Sequence, residues 1–382
     1  MKIESTLSKI FLLFLSLCFA FALLEAASRM YLHFAPEPVF RKYGSLNQLY
    51  SRYGKNNLQQ TYSPHRYLGF YPTPNFQKGL DKHNSLGFRG DEIELKKKDG
   101  VFRIACLGGS TTYGMTEDYR EAYPYQLERY LHENGYPQVE VINAGAGMYT
   151  SWETLINFQF RLLELEPDLI IVYHAINDVY PRIVWPPSAY RADNSGARIV
   201  NVSPMKMPPI WHYSTFLRMF AVRAGLAESH GSLDWNLVER PPSFYAGLHR
   251  MLYRQNRYPA DIFLKVPASK MLEENRPIYF ESNLKSLIAI AQANDVKVVF
   301  VTFAYSPFFD DPAISCRENQ KAIEEHNEIV RGFSDRAYVH DFAKAMSVNK
   351  EYYQDGYHFT PAGEIKRAQL IGDYLAENNL LD

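Results

Sequence analysis

Four short stretches carry residue types that could do acyl chemistry, and they lie far apart in the chain. They are GGSTTYG (108–114), NAGAGMYTS (143–151), HAIND (174–178) and DGYHFTPAG (355–363). In the first, Gly108 and Gly109 let the chain turn tightly and leave the Ser110 hydroxyl exposed at the mouth of a helix. The Ser110 N–H can there point at an incoming oxyanion. The spacing is not that of a phosphate loop, because GxxxxGK and its lysine are absent. In the third, Asn177 offers a side-chain amide donor. In the fourth, Asp355 and His358 stand three apart around Gly356. A carboxylate at that spacing can orient an imidazole while the other ring nitrogen faces outward. Each stretch alone is a common pattern: a βα turn, a helix cap, a chance D-x-x-H. A serine, a base, an orienting carboxylate and amide donors together are what acyl transfer needs.

These stretches need a scaffold that brings them to one place. VFRIACL (101–107) is a short apolar run ending at glycines, the signal of a buried strand. VEVINAG (139–145), DLIIVYH (168–174) and VKVVFVTF (296–303) repeat it, and Ala337 to Asp341 is a weaker fifth. Helical patterns fall between them: Ala122 to Glu133, Trp152 to Leu165, Phe280 to Asn294, Glu318 to Phe333 and Pro361 to Asn378. Near-continuous apolar strands alternating with helices predict an α/β fold. Its form is a three-layer α/β/α sandwich, flavodoxin-like, on a central parallel sheet of about five strands. Each chemical stretch then follows a strand or precedes the last helix, on the side where such sheets carry their sites.

In this order the four stretches resemble the SGNH hydrolases, also called the GDSL lipase/esterase family. Gly108-Gly109-Ser110 matches the first block, Ala175-Ile176-Asn177-Asp178 the third, and Asp355-Gly356-Tyr357-His358 the fifth. HNSLGFRG (83–90) looks like the lead-in of membrane-anchored bacterial members. The resemblance covers about 101–180 and 280–375. It implies Ser110 as nucleophile, His358 as base and Asp355 as its orienter. It also implies an oxyanion hole from the Ser110 N–H, a second-block N–H and the Asn177 side chain. Two positions depart from the family. Ala175 stands where the third block begins with glycine. The second-block glycine falls on Met148, with Gly147 just before it, so the donor is the N–H of Gly147 or of Met148. A positive φ at that position disfavours methionine.

The N-terminus sets the expected compartment. Residues 10–24 carry no charge, Lys2 and Lys9 precede them, and Glu25 and Arg29 follow. This reads as a signal anchor, with Arg29 snorkelling and Tyr31 at the interface, and with the remainder of the chain outside the cytoplasm. Cleavage after Ala22 or Ser28 also fits small-residue rules. Residues 1–34 are therefore the anchor, 35–100 a linker and lead-in, and 101–180 with 281–382 the hydrolase domain. Residues 181–280 interrupt the alternation and hold 11 of the 22 prolines. A hundred residues is too long for a loop and reads as an inserted cap. Within it Ser214 to Glu228 and Ser243 to Tyr258 look amphipathic, suited to packing on the sandwich or to a membrane surface.

A net charge of −1 excludes a whole-chain nucleic-acid footprint. Three cysteines exclude a disulfide scaffold. Cys106 and Cys316 allow one bridge, but Cys106 sits in an apolar strand and reads as core. His174 reads as packed inside a strand. No ligand spacing suggests zinc, and no cofactor is expected. The expected function is an extracytoplasmic serine esterase or deacylase acting on an acylated envelope glycan or lipid. An O-acyltransferase, or a non-catalytic binding protein on the same sandwich, is the alternative.

Overall fold

The computed structural model describes residues 2–34, 61–65, 68–183, 187, 190–194, 214–224, 226, 268–309 and 317–382. Five strands form one parallel sheet: β5 (Phe102–Gly108), β6 (Val139–Asn143), β7 (Leu169–Tyr173), β8 (Lys297–Val301) and β9 (Tyr338–His340). Their spatial order is β6-β5-β7-β8-β9. This is the expected α/β sandwich with flavodoxin-like order, and the chain reverses its direction of travel at β5.

Alternate residues of β5 feed the two faces of the sheet. Ile104 and Cys106 pack with Leu127, Leu131, Ile371 and Leu375 from the helices Tyr123–Glu133 and Pro361–Glu377. Ala105 and Leu107 pack with Phe158, Leu284 and Leu287 on the other face. Cys106 is a buried free thiol, pushed up to about 12 by burial, which agrees with its reading as core. Cys316 lies outside the described residues. The expected helix from Trp152 to Leu165 is regular only over Ser151–Asn157. It widens into a π turn at Phe158–Leu162 and tightens at Leu163–Leu165. The wide turn still buries Phe158 and Leu162 against the sheet.

Ahead of the sheet, two short antiparallel pairs form: β1 (Tyr62–His65) with β2 (Gly69–Pro72), and β3 (Gln77–Lys78) with β4 (Asp81–Lys82). The HNSLGFRG stretch binds this lead-in to the turn of helix that begins at Ser110. Arg89 is buried, pairs with Asp81, and donates to the carbonyls of Tyr113 and Thr116. His83 reaches the Tyr113 hydroxyl at 2.8 Å.

At the N-terminus one continuous helix spans Lys2–Phe34, and its apolar window Ser8–Tyr31 is long enough to cross a membrane. Of the expected cap, the described parts include Thr215–Arg223 and Ala268–Glu274, both helical. Ser243 to Tyr258 lies outside the described residues. Where the cap leaves the sheet, Asn194 donates to the Thr150 hydroxyl at 2.9 Å, beside the second block.

Candidate active site

Ser110 is the first residue of a one-turn helix, Ser110–Tyr113, that follows β5 directly. Two close approaches make this turn possible. A Cβ on Gly108 would stand 2.1 Å from the Thr112 hydroxyl, and one on Gly109 would stand 2.3 Å from the Asn177 amide nitrogen. Beneath the turn, the buried Arg367 donates to the Thr111 carbonyl and lies between the rings of Tyr123 and Tyr173, at 3.7 and 4.0 Å. That contact ties the last helix to the residue after Ser110.

The last helix also positions His358. Thr360 caps it, Pro361 opens it, and the loop before it holds Asp355 and His358. Gly356 adopts φ +105°, a conformation other residues resist, and the turn folds Asp355 back on His358. His358 Nε2 lies 2.7 Å from the Ser110 hydroxyl. His358 Nδ1 lies 2.7 Å from one Asp355 oxygen, and the other oxygen accepts the backbone N–H of His358 at 3.0 Å. Burial would raise the Asp355 carboxyl, but the hydrogen bond from His358 and its charge outweigh burial and hold it below the usual range. The carboxylate is thus charged and accepts a hydrogen bond from His358 Nδ1–H, which leaves Nε2 as the acceptor facing the serine.

The second and third blocks close around the same point. Asn177 is buried at the start of the turn Ile176–Val179, and one of its amide protons goes to the Tyr149 carbonyl at 2.9 Å. Ala175 has φ −169°, outside the left-handed region where glycine is specifically favoured. Met148 is different. Its φ is +67°, the left-handed region, so a methionine holds a conformation that glycine adopts freely. Its side chain is buried in the larger core cluster.

Tyr62 had no sequence signal, standing in a Tyr- and Pro-rich stretch without period. Its hydroxyl accepts the Gly147 N–H at 2.9 Å. Burial pushes this phenol up, so it is a neutral group. Gly147 therefore has a partner from the lead-in hairpin. Tyr149 adds a second tie, donating to the Phe70 carbonyl at 2.7 Å. Arg367 was equally silent in sequence, as one charge on a helix.

Asp178, matched only as part of the third block, supports the second. It accepts from the Ser151 N–H at 3.0 Å and from the Ser151 hydroxyl at 2.5 Å, holding the start of the helix after Thr150. His174 is packed, as expected, with Nε2 2.7 Å from the Thr154 hydroxyl. Burial pushes the Asp178 carboxyl up to about 7, against the Ser151 hydrogen bonds. The unfolded chain loses this proton near 3.8, so the folded state holds it longer. Its stabilising contribution is full below that value and disappears as pH rises toward 7. Melting temperature should fall over that window, and Asp178→Asn should flatten the fall. Identical slopes in the two proteins would refute the assignment.

Among the described residues no group of three or more His, Cys, Asp or Glu is placed to hold a metal. The arrangement can take a proton from a hydroxyl and pass it on, with amide donors beside it.

The model of the GDSL-like lipase/acylhydrolase family matches residues 106–364. The chain belongs to this family. The matched residues begin within β5, after the lead-in hairpins. Among solved structures, a putative acylhydrolase from Bacteroides fragilis is 18% identical, with 75% of this chain and 91% of that one covered and a TM-score of 0.40. A lipase/acylhydrolase from Enterococcus faecalis is 15% identical, covering 73% and 97%, with a TM-score of 0.39. A variant of an acetyl xylan esterase from Geobacillus stearothermophilus is 12% identical, covering 72% and 96%, with a TM-score of 0.39. No curated protein matches the chain.

Proposed function

We propose that this GDSL hydrolase is a serine esterase or deacylase whose active site faces away from the cytoplasm, and that it removes acyl groups from an envelope glycan or lipid. The observation that carries the chemistry is the relay from Ser110 through His358 to Asp355, two contacts of 2.7 Å each. Ser110 attacks the ester carbonyl as its proton passes to His358 Nε2. Asp355 holds the imidazolium that results. The developing oxyanion is met by the N–H of Ser110, a second-block backbone N–H and the second amide proton of Asn177. Within the second block, the Gly147 N–H is engaged by the Tyr62 hydroxyl. His358 then returns the proton to the leaving alcohol, and a water repeats the sequence on the acyl-enzyme. The basic flank at Lys2 and Lys9 supports the orientation.

One experiment tests reaction and side together. A charged, membrane-impermeant serine-directed phosphonate should label Ser110 in intact spheroplasts of an expressing cell. Labelling only after lysis would overturn the orientation, and no labelling of purified active protein would overturn the serine mechanism. With the labelled site established, a panel of acetylated sugars and short- and long-chain esters identifies the acyl group. A product in which the acyl group moves to an added sugar instead of water would make the protein a transferase.

A further inference from the structure

The carboxylate of Glu25 lies inside the apolar window Ser8–Tyr31 of the N-terminal helix. A charge at such a position is costly unless it is paired, and its partner marks what the position is for. Its partners come from the cap, about 190 residues later. Glu25 accepts the Ser214 hydroxyl at 2.7 Å and the backbone N–H groups of Thr215 and Phe216 at 3.0 Å each. Arg29, one turn on, donates to the same carboxylate at 2.7 Å. The two N–H groups are orphan donors of the helix Thr215–Arg223, so the N-terminal helix supplies its cap and complements its dipole. Phe216 extends the contact one turn back, its ring edge-on to Phe21 at 6.1 Å.

The level of this contact is informative. The uncharged run ends at Leu24 and the apolar window at Tyr31, so Glu25 lies near the far boundary of the span, about 9 Å before its end. A helix that starts at Glu25 and touches Phe21 lies in that boundary layer. Ala221 is buried, while Phe220 and Leu226 are 59% and 65% exposed. On the N-terminal helix that this segment contacts, Phe21, Leu23 and Leu24 are exposed as well. We propose that the N-terminal helix is retained as part of the mature fold, and that the cap helix Thr215–Arg223 docks on it through Glu25. The docked helix lies in the outer membrane interface, with Phe220 and Leu226 among lipid acyl chains. Amphipathic helices of this kind bury their apolar face about 5–10 Å into the boundary between headgroups and chains. The cap is thereby held at the bilayer surface, which favours substrates presented there. This inference rests on the N-terminal helix being a membrane anchor.

The test uses the full chain in phosphatidylcholine vesicles, with Cys18 and Cys316 replaced and single cysteines introduced for an environment-sensitive fluorophore. Probes stand at Phe220→Cys, at Leu13→Cys within the span, and at Glu377→Cys on the last helix. Spin-labelled lipid should quench the probes at 220 and 13 at least twofold more than the probe at 377. Glu25→Ala should bring position 220 down to the level of 377 and leave position 13 quenched. Quenching at 13 with a water-like probe at 220 would overturn the docking and spare the anchor. Quenching at 220 that persists in Glu25→Ala would overturn the role of Glu25. Water-like probes at both 13 and 220 would overturn the anchor and the proposal together. A mature N-terminus at residue 23 or 29, read by mass spectrometry, would overturn the retained helix.

Discussion

Ser110→Ala and His358→Ala are each expected to abolish ester hydrolysis, by about 10⁶-fold in turnover where such sets act as a unit. The reason is the 2.7 Å contact between them. A serine hydroxyl is a weak nucleophile without a base at its proton, and an imidazole with no hydroxyl beside it has nothing to activate. The double variant should therefore be no worse than either single one. Asp355→Asn should fold normally, because its oxygen can still accept the backbone N–H groups of Tyr357 and His358. Its amide would then face Nδ1 and force the wrong tautomer, at a cost of about 10⁴ in turnover. Steady-state kinetics of the purified full-length proteins on a short-chain ester decide the matter. Full activity in Ser110→Ala would refute the nucleophile assignment.

Asn177→Ala should lower turnover by about 10²–10³, with KM changed far less, because it removes one donor aimed at the developing charge. Met148→Gly should stay within severalfold of the parent, since the backbone N–H remains. Its stability should nevertheless drop. Relief of the left-handed methionine is worth about 1–2 kcal/mol, against about 1.5–3 kcal/mol for removing a buried side chain. Tyr62→Phe lies between these. It leaves the fold but frees the Gly147 N–H, and loss of one such hydrogen bond corresponds to at most about tenfold in turnover. Equal large losses at Asn177 and Met148 would mean that the methionine side chain shapes the site. An unchanged Asn177→Ala would remove the third block from the mechanism.

Four strands were legible because they are largely buried and read as apolar runs, whereas β9 is short and leaves Tyr338 exposed. Ser110, Asn177, Asp355 and His358 were legible for a different reason: their motifs are local, each held within a few residues by its own turn. Whether Ala175 occupies the left-handed region that favours glycine could be read only from its backbone angle. The position of Met148 was recognised in sequence as one where a positive φ would be a problem for methionine, and the structure shows that it adopts one.

What the amino-acid order determined by itself is therefore the α/β class, the sequence of strands and helices, the apolar N-terminal helix and the separate pieces of the relay. These depend on periodicity and on contacts between near neighbours. Only the tertiary structure showed that the Gly147 N–H is engaged, because its partner is a tyrosine 85 residues earlier. Only it showed Arg367 bonded to the Thr111 carbonyl, across 256 positions, and Glu25 capping a helix 190 positions on. A lone tyrosine, arginine or glutamate carries no period and no spacing. Its meaning comes from the partner that folding brings to it.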